Sequence, residues 1–233
     1  MKISVIIPVL NEKTSLGKVL KAVVEQPKPF EIIVCDGGSE DGSVRTALEL
    51  SNRVVMARGG RGAQICEGIR HASGEVLLVL HADTVIGCSA FERIRTGLRD
   101  SDVSGGNFRV VFDGDTEFST WLTKFYEWLR SKGVYYGDSA IFVRRSVFEN
   151  IGGIKPLALM EDFDFVRRLE RHGGTICIED PPVVTSSRRF IKRKPWRIVA
   201  QWIVIHVMYY LRVSPRYLAR LYQSATHSPS AHD

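Results

Sequence analysis

Short apolar runs alternate with amphipathic segments along the first 80 residues of the chain. The apolar or β-branched runs predict buried strands over 3–9, 31–35, 53–57 and 76–80. Apolar positions at helical spacing predict helices over 12–25, 43–50 and 62–72. Repeated β-α units of this length require right-handed crossovers and a parallel sheet. The predicted fold class is therefore α/β, with a mostly parallel central sheet flanked by helices.

Each predicted strand ends in a polar or glycine-rich segment, at 8–12, 36–43, 58–62 and 81–84. In an open α/β sheet these segments meet at the carboxyl edge, where ligands bind. Asp36 could accept a hydrogen bond from a base N–H or a ribose hydroxyl, and Arg58 and Arg61 could meet phosphate charge. Asp41 is better explained as a helix cap.

The segment His81-Ala82-Asp83-Thr84 carries the most functional information. A carboxylate separated by one residue from an imidazole suits a divalent metal held against a phosphate. Asp and Thr after a strand are also ordinary turn and cap residues, so these residues alone leave both interpretations open. The other three loops favour the ligand site.

The glycine spacing excludes two common nucleotide sites. Neither G-x-G-x-x-G after the first strand nor G-x-x-x-x-G-K-[ST] is present. The sequence therefore argues against a dehydrogenase and against an NTPase of the P-loop kind.

In the second half a strand is predicted over 137–143, followed by a basic pair, with a short helix over 147–151 and a further helix from Glu161 to the glycines at 173–174. Carboxylates in the first turn of that helix favour its dipole, a role that suits Glu161 and Asp164.

Composition predicts one main domain, since the 233 residues are 44% hydrophobic and 25% charged. The four cysteines are scattered without metal-ligand spacing, which is typical of a reducing compartment. Met1-Lys2-Ile3-Ser4 leads straight into a strand and leaves no room for a targeting peptide, so a cytoplasmic location is expected.

The C-terminal segment 188–223 differs from the preceding main domain, 1–187. Basic residues are dense at its start, and the apolar run 198–213 follows; the basic residues are Arg188, Arg189, Lys192, Arg193, Lys194 and Arg197. The run is too short and interrupted to span a membrane. An interfacial helix on an anionic membrane and a core or dimer helix are both open. No nucleic-acid-binding motif accompanies the charge, and residues 224–233 are expected to be a disordered tail.

Three motifs in order resemble the family 2 glycosyltransferases of the GT-A fold. They are Ile3 to Glu12, Asp36 to Ser43, and Met160-Glu161-Asp162-Phe163-Asp164. Residues 60–64 with the His81-Ala82-Asp83-Thr84 segment resemble a subgroup of short, stand-alone bacterial members, in which this segment replaces the usual D-x-D motif.

The resemblance implies roles for individual residues. Asp36 would read a uracil-type base, Arg61 would lie near the diphosphate, Asp83 would bind Mn²⁺ or Mg²⁺ with His81 as a second ligand, and Asp162 would be the general base. The nucleotide-sugar pocket as a whole would be lined by Pro8, Val9, Leu10, Asn11, Glu12, Asp36, Arg61, Gly62, His81, Ala82 and Asp83. The second half would supply the acceptor side, with Gly137, Asp138 and Glu161 as candidates.

One metal and one base suffice for a single in-line displacement that inverts the anomeric centre. The expected donor is a nucleotide sugar, UDP-linked, and the acceptor is unknown or lipid-linked. A sugar-nucleotide nucleotidyltransferase and a catalytically silent nucleotide-binding module at the membrane surface are the alternatives. The first should show a glycine-rich, arginine-containing loop after the first strand, and the second should lack Asp83 or Asp162. The sequence shows neither feature.

Overall fold

Strand-helix units build the first half of the protein. The computed structural model describes residues 1–114, 116–190 and 195–226. The first elements are β1 (Ile3–Val9), α1 (Lys13–Val24), β2 (Phe30–Asp36), α2 (Ser43–Leu50), β3 (Arg53–Met56), α3 (Arg61–Arg70) and β4 (Val76–Val79). All seven were predicted from the apolar pattern, with ends that differ by no more than two residues.

The second half contains ten further strands and helices. They are β5 (Thr84–Val85), α4 (Ala90–Gly97), β6 (Val103–Phe112), α5 (Glu117–Arg130), β7 (Ile141–Arg144), α6 (Arg145–Asn150), α7 (Glu161–His172), β8 (Gly174–Thr185), α8 (Pro195–Tyr210) and α9 (Pro215–Thr226), with 3₁₀ turns at Gly137–Ser139 and Arg188–Phe190. The pattern predicted β7, α6, α7 and the apolar run that forms α8.

The eight strands form one sheet in the order β3-β2-β1-β4-β7-β6-β8-β5. Strands β3, β2, β1 and β4 are parallel neighbours, and β6 pairs with β8 in parallel. The pairs β4 with β7, β6 with β7, and β5 with β8 are antiparallel. The predicted α/β class with a mostly parallel sheet is confirmed. The loops after β1 to β4 therefore emerge at one edge, as expected.

The strand predicted over 137–143 is wrong at its start. Gly137–Ser139 forms a 3₁₀ turn, Ala140 has φ 52°, and β7 begins only at Ile141. Ser139 Oγ donates to the Tyr136 carbonyl at 2.6 Å, which closes the turn locally. The turn places Gly137 and Asp138 at the end of the sheet instead of within a strand.

Helices cover both faces of the sheet, which is why the central strands are apolar throughout. All seven residues of β1 are buried. One core cluster joins the sheet to α1, α4 and α8, and a second joins it to α3 and α7.

Two helices, α8 and α9, form the C-terminal part of the described chain. Helix α9 continues to Thr226, past the boundary predicted for the tail at 224, and 227–233 lie outside the described residues. The predicted basic residues Lys192, Arg193 and Lys194 also lie outside them. In the part of the chain that is described, no helix has the length and apolar character needed to cross a membrane.

Candidate active site

The loops after β1 and β2 lie against each other at the carboxyl edge of the sheet. We call the region bounded by these loops, the segment after β4 and the start of α7 the crevice. Backbone N–H groups of Gly38 and Ser39 both donate to Asp36 Oδ2 at 2.8 Å. Asp36 is fully buried, and its Oδ1 has no hydrogen-bond partner within the described structure. Because a buried carboxylate oxygen needs a donor, this atom marks a place where a ligand N–H or hydroxyl can bind.

Asn11 ties the first loop to the second. Its backbone is left-handed, with φ 55°. Its N–H donates to Ser39 Oγ at 2.9 Å, and its side-chain oxygen accepts from Glu40 N–H at 2.9 Å. The segment 8–12, predicted to line the nucleotide pocket, therefore lies directly against the loop that carries Asp36.

Asp41 caps two helices, as the sequence suggested for one of them. Its carboxylate accepts from the N–H of Ser43 and from the N–H of Lys13, the first residues of α2 and α1, each at 2.9 Å. The Ser43 hydroxyl also donates to it at 2.5 Å, and these bonds hold its pKa below the usual value. Asp41 thus fixes the wall of the crevice.

Gln64 on α3 is a site residue that the sequence did not single out. It is 5% exposed, and its Nε2 donates to the carbonyls of Val9 at 2.6 Å and Cys35 at 2.8 Å. One amide therefore holds the ends of β1 and β2 together. A buried glutamine within the motif at 60–64 was the available signal.

The segment after β4 lies where it was predicted. Asp83 is partly exposed, with 18% of its side chain accessible, whereas His81 and Ala82 are buried. A Cβ placed on Gly137 would lie 2.4 Å from His81 Nε2, so the imidazole packs directly on the 3₁₀ turn at 137–139. At this edge Asp83 is therefore the more accessible of the two predicted metal ligands.

Arg188 brings the C-terminal segment to the same edge. Its guanidinium forms an ion pair with Glu12 and lies 3.7 Å from Asp83 Oδ2. The sequence treated Arg188 as part of a surface basic cluster. In the structure it lies beside Glu12 and Asp83, at the ends of β1 and β4.

The start of α7 carries three carboxylates, Glu161, Asp162 and Asp164. Asp162 is 8% exposed, and its Oδ2 accepts from Gly137 N–H at 2.9 Å. Glu161 is fully buried and pairs with Arg61, whose Nη2 is also 3.6 Å from Asp162 Oδ2. Asp164 pairs instead with Lys155 at 3.0 Å and Arg168 at 2.8 Å.

Arg61 and Glu161 shift each other's pKa. Burial and the charge of Asp162 raise the pKa of Glu161, while Arg61 opposes both effects. Burial disfavours the charge of Arg61, but the two carboxylates outweigh it and raise the pKa of Arg61. Arg61 was predicted to lie near the diphosphate and Glu161 on the acceptor side. In the structure each is the other's partner, and their contacts with substrate stay predictions.

Gly62 and Asp138 have local structural roles. A Cβ on Gly62 would lie 2.6 Å from the Leu157 carbonyl, so α3 packs closely on the segment before α7. Asp138 is buried and accepts from Tyr126 Oη at 3.0 Å. Their predicted binding roles are not contradicted by these contacts.

A cavity of about 630 Å³ lies between β6, β8 and α5, and Ser139 of the 137–139 turn also lines it. Its Arg130 donates to Asn107 Oδ1 at 2.7 Å and to Thr175 Oγ1 at 3.1 Å. The Arg130 guanidinium is therefore already bonded to the protein.

No group of three or more His, Cys, Asp or Glu side chains that could hold a metal is found within residues 1–114, 116–190 and 195–226. A site with one or two protein ligands needs no such cluster, because Mg²⁺ takes its other ligands from water and substrate phosphates. His81 and Asp83 supply at most two ligand side chains, so they fit a metal that takes its other ligands from water and phosphate.

The comparisons with known proteins identify the family. Residues 4–152 match the family described as Glycosyl transferase family 2, and this segment is more than half of the chain. The chain therefore belongs to the family 2 glycosyltransferases, as its motifs predicted.

Two curated relatives agree with this assignment. The probable glycosyltransferase YdaM of Bacillus subtilis is 26% identical over 227 residues, covering 86% of this chain and 54% of the relative. A dolichol-phosphate mannosyltransferase of Pyrococcus furiosus is 32% identical over 164 residues, covering 66% of this chain and 44% of the relative. The chain spans about half the length of these relatives.

Solved structures confirm the predicted GT-A fold. TarS of S. aureus in complex with UDP-GlcNAc has a TM-score of 0.66 at 18% identity, covering 81% of this chain and 59% of that one. Mannosyltransferase PcManGT of Pyrobaculum calidifontis in complex with GDP-Man and Mn²⁺ has a TM-score of 0.65 at 22% identity, covering 94% and 68%.

Proposed function

We propose that the chain is a metal-dependent inverting glycosyltransferase that moves a sugar from a UDP-linked donor to a lipid-linked acceptor. The observation that carries this proposal is that the segment after β4 and the start of α7 both contact Gly137. A Cβ placed on Gly137 would be 2.4 Å from His81 Nε2 and 3.4 Å from Asp162 Oδ2. The proposed metal-binding segment and the proposed base therefore pack on the same glycine, although they are far apart in sequence.

The donor side is formed by the loops after β1, β2 and β4. The unpartnered Oδ1 of Asp36 supports a hydrogen bond from the uracil N–H of the donor. Arg188, beside Glu12 and Asp83, is placed to contact diphosphate oxygens.

The residues at 81–83 fit a divalent metal. Asp83, with His81 as a second ligand, would hold Mn²⁺ or Mg²⁺, which neutralises negative charge on the departing diphosphate. PcManGT, which shares the fold, contains Mn²⁺ together with GDP-Man.

Asp162 supplies the base. Its carboxylate takes the proton from the acceptor hydroxyl as that oxygen bonds to the anomeric carbon. The bond from this carbon to the diphosphate oxygen breaks on the opposite face, so the anomeric centre inverts. The Gly137 N–H, bonded to Oδ2 at 2.9 Å, holds the carboxylate in place.

The lipid-linked acceptor is supported by the named activity of a relative. The relative from Pyrococcus furiosus is a dolichol-phosphate mannosyltransferase, and it matches 66% of this chain. The acceptor proposed here is of the same class, a phosphate carried by a long hydrocarbon chain.

Thermal unfolding with a panel of nucleotide sugars, with and without Mn²⁺, tests the donor. A ligand at a hundred times its Kd stabilises the native state by about 2.7 kcal/mol, so even a weak donor is detectable. We expect UDP-sugars to stabilise the protein in the presence of Mn²⁺ and UDP alone to do so less. If GDP-sugars stabilise the protein and UDP-sugars do not, the assignment of uracil as the nucleobase of the donor is wrong. Stabilisation by no nucleotide sugar would contradict the donor proposal.

A further inference from the structure

Helix α8 has two different faces. Its inner face enters the core through Ile198, fully buried, and Ile205, 3% exposed. Its outer face presents a stripe of large apolar residues at helical spacing. These are Trp196 (63% exposed), Ile203 (58%), Val207 (51%) and Tyr210 (58%). The core packing predicted as one alternative for this helix therefore accounts for only part of its apolar surface.

Helix α5 extends this apolar surface sideways. Trp121, Phe125 and Trp128 form a stacked row, with ring centroids 5.0 and 5.9 Å apart. Trp121 and Trp128 are 42% and 56% exposed. Phe125 stacks in turn on Trp202 of α8 at 6.3 Å, which joins the two helices. The aromatic row of α5 and the stripe of α8 together form what we call the α5–α8 surface.

The segment that carries α8 is cationic in sequence, although one of its cations, Arg188, pairs with Glu12 in the crevice. From 181 to 232 the sequence contains no Asp or Glu but nine Lys and Arg: Arg188, Arg189, Lys192, Arg193, Lys194, Arg197, Arg212, Arg216 and Arg220. Lys124 lies exposed between the two tryptophans of α5, and the guanidinium of Arg197 lies 5.3 Å from the Trp196 ring. Glu127, the acidic residue beside Trp128, is paired with Arg109 at 3.5 Å.

We propose that the α5–α8 surface docks on an anionic membrane, with the aromatic and aliphatic side chains in the headgroup region and the cations against lipid phosphates. Tryptophan, tyrosine and basic side chains around an apolar stripe are the chemistry of interfacial helices. A cationic flank on each protomer disfavours self-association, because like charges would meet across a two-fold interface.

The inner face of α8 connects this surface to α7, the helix that carries the proposed base Asp162. Phe163, next to Asp162, contacts the rings of His206 and Tyr209 with centroids 5.0 and 5.6 Å apart. His206 also hydrogen-bonds Tyr136, next to Gly137, at 2.9 Å. A bilayer bound to the outer face of α8 would therefore lie one helix away from the base, within reach of a lipid-linked acceptor. Only this last step rests on the proposed function.

Sedimentation of the full chain with vesicles tests the surface without any donor or acceptor. We expect binding to phosphatidylcholine vesicles that contain phosphatidylglycerol, weaker binding as salt rises, and little binding to phosphatidylcholine alone. Ile203→Ser and Arg197→Glu should each weaken binding about fivefold or more. Leu48→Ser and Arg45→Glu are matched controls, because Leu48 is 66% exposed and the Arg45 side chain 90% exposed on α2. These controls should leave binding unchanged.

Several results would overturn the proposal. These are equal binding to both vesicle types, no binding to either, or equal effects of the Ile203 and Leu48 substitutions. A dimer in solution that Ile203→Ser converts to a monomer would assign the surface to a second copy of the chain. Failure of docking leaves donor binding and transfer to a water-soluble acceptor measurable, so it is distinguishable from failure of the proposed function.

Discussion

Replacing Arg61 by alanine should expose how strongly the start of α7 depends on a single cation. Glu161 is fully buried, its Oε1 is bound by Arg61 and its Oε2 has no partner within the described structure. Removing one member of a buried ion pair typically costs about 3–5 kcal/mol, because the other charge stays uncompensated. One third of the Arg61 side chain is exposed, so screening places the expected cost near the lower limit, about 3 kcal/mol.

The loss of stability caused by Arg61→Ala should increase with pH. Burial raises the pKa of Glu161 above its usual 4.5, and removing Arg61 raises it further. A carboxyl with a raised folded-state pKa contributes stability below its unfolded pKa and loses it as pH rises through the folded value. Arg61→Ala should therefore be destabilised more at about pH 8 than at about pH 5.

Thermal or urea unfolding at the two pH values measures this effect. About 3 kcal/mol corresponds to a fall in Tm of roughly 6–12 °C for a chain of this size. Adding Glu161→Gln to Arg61→Ala should restore most of the stability and flatten the pH dependence. Arg45→Ala is the control, because the Arg45–Glu49 pair is exposed and should contribute less than about 0.5 kcal/mol. An equal loss at both pH values, or no recovery in the double variant, would refute the reasoning.

Three further substitutions test the crevice. Asp162→Asn should keep donor affinity while transfer falls about 10²-fold or more, measured by turnover beside donor binding; transfer near the native rate would remove Asp162 as base. Asp83→Ala should abolish metal-dependent donor binding in calorimetry at an unchanged Tm, and unaltered Mn²⁺ dependence would contradict its role. Gly137→Ala should lower the free energy of unfolding by about 1–3 kcal/mol, because its Cβ meets His81. The control Gly17→Ala, in ordinary contact with Thr46 at 3.6 Å, should not destabilise the protein; equal effects of the two would show that the contact with His81 is unimportant.

Local patterns were sufficient for the first half of the fold. Strands β1 to β4 are short, apolar and separated by single helices, so right-handed crossovers make them parallel. Their order in the sheet, β3-β2-β1-β4, differs from their order along the chain, because β4 pairs with β1. Strand β8 carries no such pattern. It runs through Glu179, Asp180, Pro181 and Pro182, which are residues that usually end strands, and the register of its pairing with β6 shifts between Phe108 and Val110. Its pairing is set by tertiary contacts.

The same distinction holds for the site. Asp36 and Asp83 follow strands, so their common edge could be deduced from the sequence. The partners of Arg61 could not, since its contact with Glu161 spans 100 positions in sequence and depends on how α7 meets α3. The contact of Arg188 with Glu12 could not be predicted for a different reason. Among neighbouring basic residues nothing marks the one whose side chain reaches Glu12, 176 positions away.

The position of the proposed base depends on both halves of the chain. Asp162 is held by Gly137 from the turn before β7 and approached by Arg61 from α3, while the adjacent Phe163 packs on α8. A buried carboxylate in contact with two separate elements has little freedom to change direction, because moving it would disrupt both contacts at once.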